Sequence, residues 1–327
     1  MTPADHGLRD GLPIRDWYAS EDRPKPIRDR YAKLEALRDL GVEPYGYSYE
    51  PTHDMATAPG VYVEDAEEQA SVRVAGRILS FRDMGKSVFA HLGDHTGRLQ
   101  VYCKRERLRE LDADVLGLLD LGDWVGVEGP LFRTRTGEVT VQVERLVLLC
   151  KTLRPLPLGK TEVLEDGTEV VHSEFADVEM RYRQRYADLA TNAGVRDVFA
   201  ARAHIVRALR KVLDQDGYLE VETPILQPIY GVAFARPFTT HHNTLDRTLY
   251  LRIADELYLK RLIVGNLDRV YEIGKVFRNE GLDRTHNPEF TMLELYRAYA
   301  DYEDMMTMSE RLVGAAADAV LDGPVVE

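Results

Sequence analysis

The chain has 327 residues, of which 44% are hydrophobic and 30% charged, and this composition is typical of a globular protein long enough for two domains. Its formal net charge of -13 argues against simple coating of nucleic acid, without excluding a local basic groove. Two cysteines outside any CxxC or CxxH pattern exclude a disulfide framework and a zinc finger, and with neither a signal-peptide pattern nor a run of about 18 apolar residues we expect a cytoplasmic protein without a membrane span.

The first region, residues 1–69, is predicted to be an arm followed by a helix. Residues 1–26 are rich in Pro, Asp and Arg and are expected to form a loose arm. Residues 27–40 place apolar side chains at three- and four-residue spacing, which predicts a helix that Gly41 ends. The remainder of the region contains several prolines and is predicted to be irregular.

The second region, residues 70–153, changes to the two-residue period of β-strands. A helix-like segment, LRELDADVLGLLD, separates the third strand-like run from the fourth. This order predicts a small Greek-key barrel of the OB type, with any other small β-barrel as the alternative. The strand-like runs are SVRVAGRILSF, SVFAHLGD, GRLQVYCK, DWVGVEGPLF and EVTVQVERLVLL.

The third region, residues 154–327, combines helical and strand-like segments and begins within the Pro-rich boundary KTLRPLPLGK. Two strand-like segments near its end, RVYEIGKVFRNE and PEFTMLELYRAYA, are joined by a polar loop and predict a β-hairpin. A last helix is predicted after Asp301, which is a suitable N-cap residue. The whole chain is therefore expected to be an α+β protein of two domains behind an N-terminal arm.

The second strand of this hairpin places alternate side chains on opposite faces. Phe290, Glu294 and Tyr296 share one face, whereas Leu293 and Leu295 share the other. Leucines at these positions suit a core covered by helices. We therefore expect the aromatic and acidic side chains to face the open side of the sheet.

The open face also receives charged groups from the preceding strand, where Arg278 and Glu280 are predicted to share a face. A guanidinium matches phosphate oxygens, an aromatic ring stacks on adenine, and carboxylates hold an ammonium group or magnesium. The hairpin is thus suited to a nucleotide triphosphate beside a cationic partner. A solvated hairpin with cross-strand ion pairs is the alternative.

Several blocks together resemble class II lysyl-tRNA synthetases over about residues 27 to 327. The barrel region is similar to the anticodon-binding domain of that family, and the hairpin resembles its motif 2. The related aspartyl and asparaginyl enzymes share the barrel and the hairpin arginine but not the wording NEG…HNPEFTMLELY or ELYLKR. The blocks are RYRQRYADLATN, GYLEVETPILQPIYG, ARPFTTHHNTLDRTLYLRIADELYLKRLIVG and VFRNEGLDRTHNPEFTMLELYRAYADYEDMM.

The resemblance implies a fold and an activity. The fold is an OB-type barrel followed by a partial class II catalytic domain with an antiparallel sheet, carrying motifs 1 and 2. The activity is ATP-dependent conversion of lysine to lysyl-adenylate and transfer to tRNA(Lys), a step of protein biosynthesis that uses Mg²⁺. The resemblance also implies a homodimer, in which Pro224 of motif 1 shapes the contact between subunits.

The resemblance further implies a set of ATP-binding residues. Arg278 is the expected catalytic residue, gripping the α-phosphate and stabilising charge during attack. Glu280, His286 and Asn287 are expected near the triphosphate and adenine. Phe290 is expected to stack on the adenine ring.

For lysine, the resemblance implies a pocket lined by Glu256, Glu294 and Tyr296. Val232, in the stretch YGVAFARPF, occupies a position where the family carries one of two paired glycines. A β-branched side chain there would narrow the pocket or strain the loop. Harmless variation with a small backbone shift is the alternative.

For the anticodon, the resemblance points to Phe89 and Gln100 on neighbouring strands of the barrel. The aromatic ring is expected to stack on the central anticodon base and the glutamine to read it. Arg82 and Glu138 are weaker candidates beside them. A core role is the alternative for Phe89.

Motif 3 and the family's metal-binding glutamates have no counterpart that we identify in the sequence, so the metal ligands are unknown. This predicts a chain truncated before motif 3, and it keeps a second hypothesis open. In that hypothesis the chain is a non-catalytic paralogue or fragment that binds tRNA through its barrel or needs a partner chain.

Overall fold

The computed structural model describes residues 8–9, 12–158, 160–163, 169–172, 175–231, 234–283 and 285–321. The chain divides into two compact units, residues 1–193 and residues 194–327. No helix in the described ranges is long and apolar enough to cross a lipid bilayer.

The first unit consists of a barrel with short helices and hairpins around it. Its elements are β1 (Leu8–Arg9), β2 (Leu12–Pro13), α1 (Ile14–Ala19), α2 (Lys25–Asp39), β3 (Ser71–Asp83), β4 (Ser87–Gly93), β5 (Arg98–Lys104), α3 (Glu110–Leu118), β6 (Trp124–Arg133), β7 (Val139–Val143), β8 (Arg145–Cys150), β9 (Lys160–Val163), β10 (Glu169–His172), α4 (Val178–Arg183) and α5 (Arg185–Thr191).

The barrel closes because the long strand β3 pairs with two neighbours. Its first half is antiparallel to β6 and its second half to β4, with a shift in register between Ile78 and Ser80. The ring then continues from β4 through β5 and β7 to β6, and only the β5–β7 pairing is parallel. This is the predicted OB-type barrel, with the predicted helix α3 between its third and fourth strands.

The last predicted strand of the barrel is in fact two strands, β7 and β8. Strand β7 pairs with the end of β6, and β8 pairs with its beginning. Glu144 lies between them, where its N–H donates to the carbonyl of Glu128 at 2.8 Å. The chain therefore moves from one half of β6 to the other, which an alternating pattern cannot reveal.

The barrel core is built from the inward-facing residues of the alternating runs. Gly129 of β6 lies so close to β7 that a Cβ atom there would stand 1.9 Å from the carbonyl oxygen of Gln142. Only glycine fits such an approach of two backbones. Core side chains with almost no exposure include Val72, Val74, Val88, Val127, Leu131, Val141 and Val143.

The N-terminal stretch predicted as a loose arm contains the helix α1, so that prediction was wrong for these residues. Trp17 of this helix is 4% exposed. The guanidinium carbons of Arg23 and Arg154 lie 4.1 Å and 5.5 Å from the centroid of its ring. Arg154 is distant from this helix in the chain, so its contact with Trp17 leaves no periodic pattern in the sequence.

The second unit is made of helices and two small sheets. The sheets have the strand orders β11–β15–β16 and β12–β14–β13. Its elements are α6 (Ala193–Gln215), β11 (Leu219–Glu220), β12 (Leu226–Gln227), β13 (Thr239–His242), β14 (Arg247–Leu251), α7 (Glu256–Val264), β15 (Arg269–Phe277), β16 (Glu289–Arg297) and α8 (Tyr302–Asp318).

Helices α6 and α8 cover one face of the β15–β16 hairpin. Leu213 of α6 and Leu312 of α8 belong to the cluster against which Leu293 and Leu295 of β16 pack. The predicted inward face of this strand is confirmed. The predicted N-cap of α8 is also confirmed, because the Asp301 carboxylate accepts hydrogen bonds from two N–H groups of the first turn.

Candidate functional site

The open face of the β15–β16 hairpin carries the first group of candidate residues. In the antiparallel register Phe290 lies opposite Val276, and Glu294 lies opposite Glu272. Tyr296 lies two residues further along the same face. Directly opposite residues of an antiparallel pair share a face, so the hairpin gathers these side chains away from the helices.

Arg278 follows β15 directly and remains tied to the hairpin by its N–H, which donates to the carbonyl of Pro288 at 2.9 Å. Its guanidinium carbon lies 5.3 Å from the centroid of the Phe290 ring. Its Nε is buried and has no hydrogen-bond partner among the described residues. A guanidinium held over a ring with a spare donor is prepared to bind an anion beside a planar group.

The loop between the two strands holds the other candidates for the nucleotide. Glu280, His286 and Asn287 are exposed. The main-chain N–H of Thr285, followed by Nδ1 of His286 at 2.8 Å, donates to Asp283 and holds the pKa of its carboxyl well below its usual range. The structure thus brings Arg278 and Phe290 into contact, whereas Glu280, His286 and Asn287 are exposed on the loop.

A shallow cleft of about 690 Å³ adjoins this loop. Glu280 lines it together with Asn279 and Arg236, and the N–H of Asn279 donates to the carbonyl of Arg236 at 2.8 Å. Tyr230 and Phe234 supply its aromatic lining. The cleft can accept a flat ligand with polar groups at its edge.

Val232, predicted to affect the lysine pocket, lies outside the described residues. Its neighbour Gly231 has a φ of +93°, a conformation that favours glycine. The nearest atom to a Cβ at Gly231 would be Cγ1 of Ile253 at 3.9 Å, so the constraint there is backbone conformation and not space.

Glu256, Glu294 and Tyr296 form an acidic corner where α7 meets the hairpin. Burial raises the pKa of the Glu294 carboxyl, and the charge of Glu256 adds to this effect. Burial and the nearby carboxylates raise the pKa of Tyr296 to about 12. The Oε2 atom of Glu294 is buried and has no hydrogen-bond partner within the described chain. An unpaired acidic oxygen of this kind is suited to receive a cation.

Lys260 is a residue of this corner that the sequence analysis missed. Its Nζ lies 2.5 Å from Oε1 of Glu256 and 5.9 Å from the centroid of the Tyr296 ring. The four-residue spacing of a Glu and a Lys on one helix is the signal that would have found it. Lys260 competes with any cationic ligand for Glu256, and it leaves Oε2 of Glu294 as the acidic oxygen of this corner without a partner among the described residues.

A cluster of buried charged side chains lies next to the acidic corner, and the sequence did not predict it. Arg252 is 2% exposed, and its Nη1 donates to Oε1 of Glu272 at 2.5 Å. Glu272 also accepts hydrogen bonds from the N–H and the hydroxyl of Thr223. Asp255, the N-cap residue of α7, is fully buried beside them. The pattern of apolar and polar residues does not distinguish these buried charged side chains from solvent-exposed ones.

The barrel carries a second candidate site, a cleft of about 660 Å³ on its outer surface, named here the barrel cleft. Two rings of its lining, Phe89 and Phe132, both contact Tyr102, whose ring lies 4.6 Å from the Phe89 ring and 5.9 Å from the Phe132 ring. Its lining includes Phe81, Arg82, Phe89, Gln100, Phe132 and Arg135.

Gln100 is held in one orientation by hydrogen bonds at both ends of its amide. Its Oε1 accepts from the hydroxyl of Thr140 at 2.8 Å, and its Nε2 donates to Glu138 at 2.8 Å. Glu138 also lies 3.2 Å from Nε2 of His91, which stands opposite Gln100 in the β4–β5 register. The structure therefore brings Phe89, Gln100 and Glu138 together, adds His91, and places Arg82 on the rim.

Within the described ranges, no three His, Cys, Asp or Glu side chains converge in a group that could hold a metal ion. The donor set for magnesium is therefore not met by these residues, and no metal ligand is assigned.

Comparison with known proteins identifies a family for each of two regions of the chain. Residues 177–325 match the family described as tRNA synthetases class II (D, K and N), and residues 72–149 match the OB-fold nucleic acid binding domain.

Among curated relatives, the chain is 50% identical over 307 residues to a lysine–tRNA ligase of Pelotomaculum thermopropionicum, covering 94% of this chain and 58% of that protein. It is 51% identical over 297 residues to a lysine–tRNA ligase of Moorella thermoacetica, covering 91% of this chain and 58% of that protein. A lysine–tRNA ligase of Magnetococcus marinus is 49% identical over 310 residues, with 93% and 60% covered.

The chain thus spans about three fifths of the length of these relatives. The match over the hairpin and its helices, together with the barrel match, means that the chain belongs to the class II tRNA synthetases of the D, K and N group.

Proposed function

We propose that the protein is a lysine–tRNA ligase, which converts lysine and ATP to lysyl-adenylate and transfers the lysyl group to tRNA(Lys). The observation that carries this proposal is the arrangement on one hairpin face. Arg278 lies over Phe290 with its Nε unpaired, and Glu294 presents a buried unpaired oxygen further along the face. An anion-binding donor, a stacking ring and a cation-binding acid are the groups that ATP and lysine need.

In the first step the lysine carboxylate attacks the α-phosphorus of ATP, and the bond from that phosphorus to the pyrophosphate oxygen breaks. Arg278 balances the charge that develops on the α-phosphate. Phe290 holds the adenine by stacking, and Glu280, His286 and Asn287 lie on the loop that would face the phosphates. In the second step a terminal hydroxyl of the tRNA attacks the adenylate carbonyl, and AMP leaves. Catalysis consists of positioning and charge compensation by this chain's residues.

Lysine would bind in the acidic corner of Glu256, Glu294 and Tyr296. An ammonium group is costly to desolvate unless a carboxylate pairs with it. A buried carboxylate likewise rejects an uncharged analogue that would leave it unpaired. This reasoning supports lysine over neutral amino acids.

The tRNA would bind through the barrel cleft. Phe89 supplies a ring for stacking a base, and the fixed amide of Gln100 supplies directional hydrogen bonds. Arg82 stands at the rim, where it can meet a phosphate, and Glu138 orients Gln100. ATP as its Mg²⁺ complex and a cytoplasmic setting complete the proposal.

A homodimer is also part of the proposal. The second unit exposes large apolar side chains. Val198 of α6 is 68% exposed, and Ile229, which follows β12, is 62% exposed. Such a surface is typical of a protein–protein contact. The contact would lie near Pro224.

Lysine-dependent exchange of radioactive pyrophosphate into ATP tests the activity. We expect turnover by the wild-type chain and a loss of at least about a hundredfold in Arg278→Ala, because one charge-stabilising donor is worth that much. Arg247→Ala, an exposed arginine of β14, is the matched control and should retain turnover. A folded wild-type chain that binds tRNA(Lys) without any exchange would favour the non-catalytic alternative.

A further inference from the structure

Asp255 is an acid whose position the proposed function does not explain. It is fully buried, and neither of its carboxylate oxygens has a hydrogen-bond partner among the described residues. A buried charged acceptor without hydrogen bonds is costly, so such groups have a reason to persist.

The neighbouring guanidinium does not satisfy this carboxylate. The Nε of Arg252 lies 3.0 Å from Oδ1 of Asp255, but its N–H donates to the carbonyl of Lys275 at 2.8 Å. The Nη1 of Arg252 donates to Glu272 and Thr223. Arg252 thus forms its hydrogen bonds elsewhere and gives Asp255 only the attraction of its charge.

Asp255 is coupled to the residue that lines the acidic corner. Its main-chain N–H contacts the Glu294 carboxylate and stabilises the ionised form. Three carboxylates, those of Asp255, Glu272 and Glu294, therefore share the single guanidinium of Arg252. The excess negative charge extends to Glu294, whose Oε2 is buried and has no hydrogen-bond partner among the described residues.

We propose that Asp255 is a specificity-determining residue of the lysine pocket: its buried carboxylate adds negative charge next to Glu294 and so selects a ligand that carries an ammonium group. The inference rests on the proposed function, since the pocket itself is part of that proposal. Asp255 acts through Glu294. Its N–H positions the Glu294 carboxylate, and its charge increases the attraction of the pocket for an ammonium group.

This role makes lysine affinity depend on pH. Burial raises the pKa of Asp255 to about 7, Arg252 opposes this rise, and the charges of Glu272 and Glu294 add to it. An ammonium group nearby favours the ionised form, so binding releases a proton and affinity rises as pH rises through this value. The ionisable groups that surround the corner from α7 and both hairpin strands are Arg252, Glu256, Lys260, Glu272, Glu294 and Tyr296.

Calorimetric titration of the full chain with lysine tests the inference. It is done at about pH 6 and about pH 8, below and above the raised pKa of Asp255. We expect wild-type affinity to rise by roughly tenfold between the two, because a charge at an effective dielectric constant of about 20 has an effect of this order. Asp255→Asn should bind weakly at both values and lose most of this dependence. Glu310→Gln, an exposed acid of α8, is the control and should behave as the wild type.

Thermal unfolding of the same variants provides a readout that needs no ligand. Asp255→Asn keeps the Arg252–Glu272 pair, so we expect it to fold. The acid's pKa is raised in the folded state, so the wild type loses stability relative to Asp255→Asn as pH rises from about 4 to about 7. A merely structural carboxylate that is satisfied in the fold would not produce this trend.

The possible outcomes separate this inference from the proposed function. Wild-type binding whose pH dependence persists in Asp255→Asn overturns the inference and leaves the ligase proposal standing. Binding with the expected pH dependence but without pyrophosphate exchange supports the inference and defeats the ligase proposal. A folded wild-type chain that binds no lysine at either pH overturns the inference outright.

Discussion

Phe89 offers the sharpest test of the barrel cleft at the scale of a single residue. Stacking on an aromatic ring contributes about 1–3 kcal/mol per base, so we expect Phe89→Ala to weaken tRNA(Lys) binding by roughly tenfold or more. Fluorescence titration with labelled tRNA measures this change. Tyr47→Ala is the control, because this side chain is 101% exposed and lies outside the cleft lining. Equal binding by Phe89→Ala and the wild type would refute a stacking role.

The residues around Phe89 illustrate what alternation can and cannot predict. The sequence placed Phe89 and Gln100 on neighbouring strands, and in the antiparallel β4–β5 register Gln100 lies opposite His91, two residues from Phe89. The bond from Gln100 to Glu138 depends on the parallel pairing of β5 with β7. That pairing exists only after the barrel has closed, so no local pattern contains it.

Glu272 tests the hairpin at the scale of an element, because it joins β15 to the segment before α7. Its carboxylate accepts from Arg252 and from two groups of Thr223. Breaking a buried ion pair on one side costs about 3–5 kcal/mol, and we expect Glu272→Gln to lose about 3 kcal/mol of unfolding free energy because Asp255 remains near Arg252. Urea unfolding measures this loss.

The exposed pair of Lys275 and Glu289 on the same hairpin is the matched control for this experiment. Their charged atoms lie 3.3 Å apart, and both side chains are at least half exposed. Exposed pairs contribute about 0–1 kcal/mol, so Lys275→Gln should hardly change the unfolding free energy. Equal losses of unfolding free energy in Glu272→Gln and Lys275→Gln would show that the buried cluster stabilises the fold no more than an exposed ion pair does.

The elements of the chain differ in how far sequence could predict them. The faces of β16 were predicted correctly, because Leu293 and Leu295 alternate with polar residues and need the cover of helices. The helix α1 was missed, because its Trp17 contacts the guanidinium group of Arg154, which is distant in the chain. The buried cluster of Arg252, Asp255 and Glu272 was also missed, because a charged residue in a sequence does not show whether its side chain is buried.

At the scale of the whole molecule, the two compact units have separate hydrophobic cores. We therefore expect the two proposed activities to fail independently. Arg278→Ala should lose exchange and keep tRNA binding within about twofold, whereas Phe89→Ala should lose binding and keep lysine-dependent exchange, as expected for sites that belong to separate hydrophobic cores. Paired exchange and binding assays on both variants measure this. Loss of both activities in either variant would contradict the division of labour.

The closed ring of the barrel has a consequence for how this protein can diverge. Strand β3 serves two neighbours, so the ring leaves no free edge within itself. The walls of the barrel cleft at Met84 and at Thr134, Arg135 and Thr136 lie in turns outside that ring. Mutation can therefore reshape the mouth of the cleft without removing a ladder hydrogen bond, so the proposed base preference could change during evolution while the barrel keeps its stability.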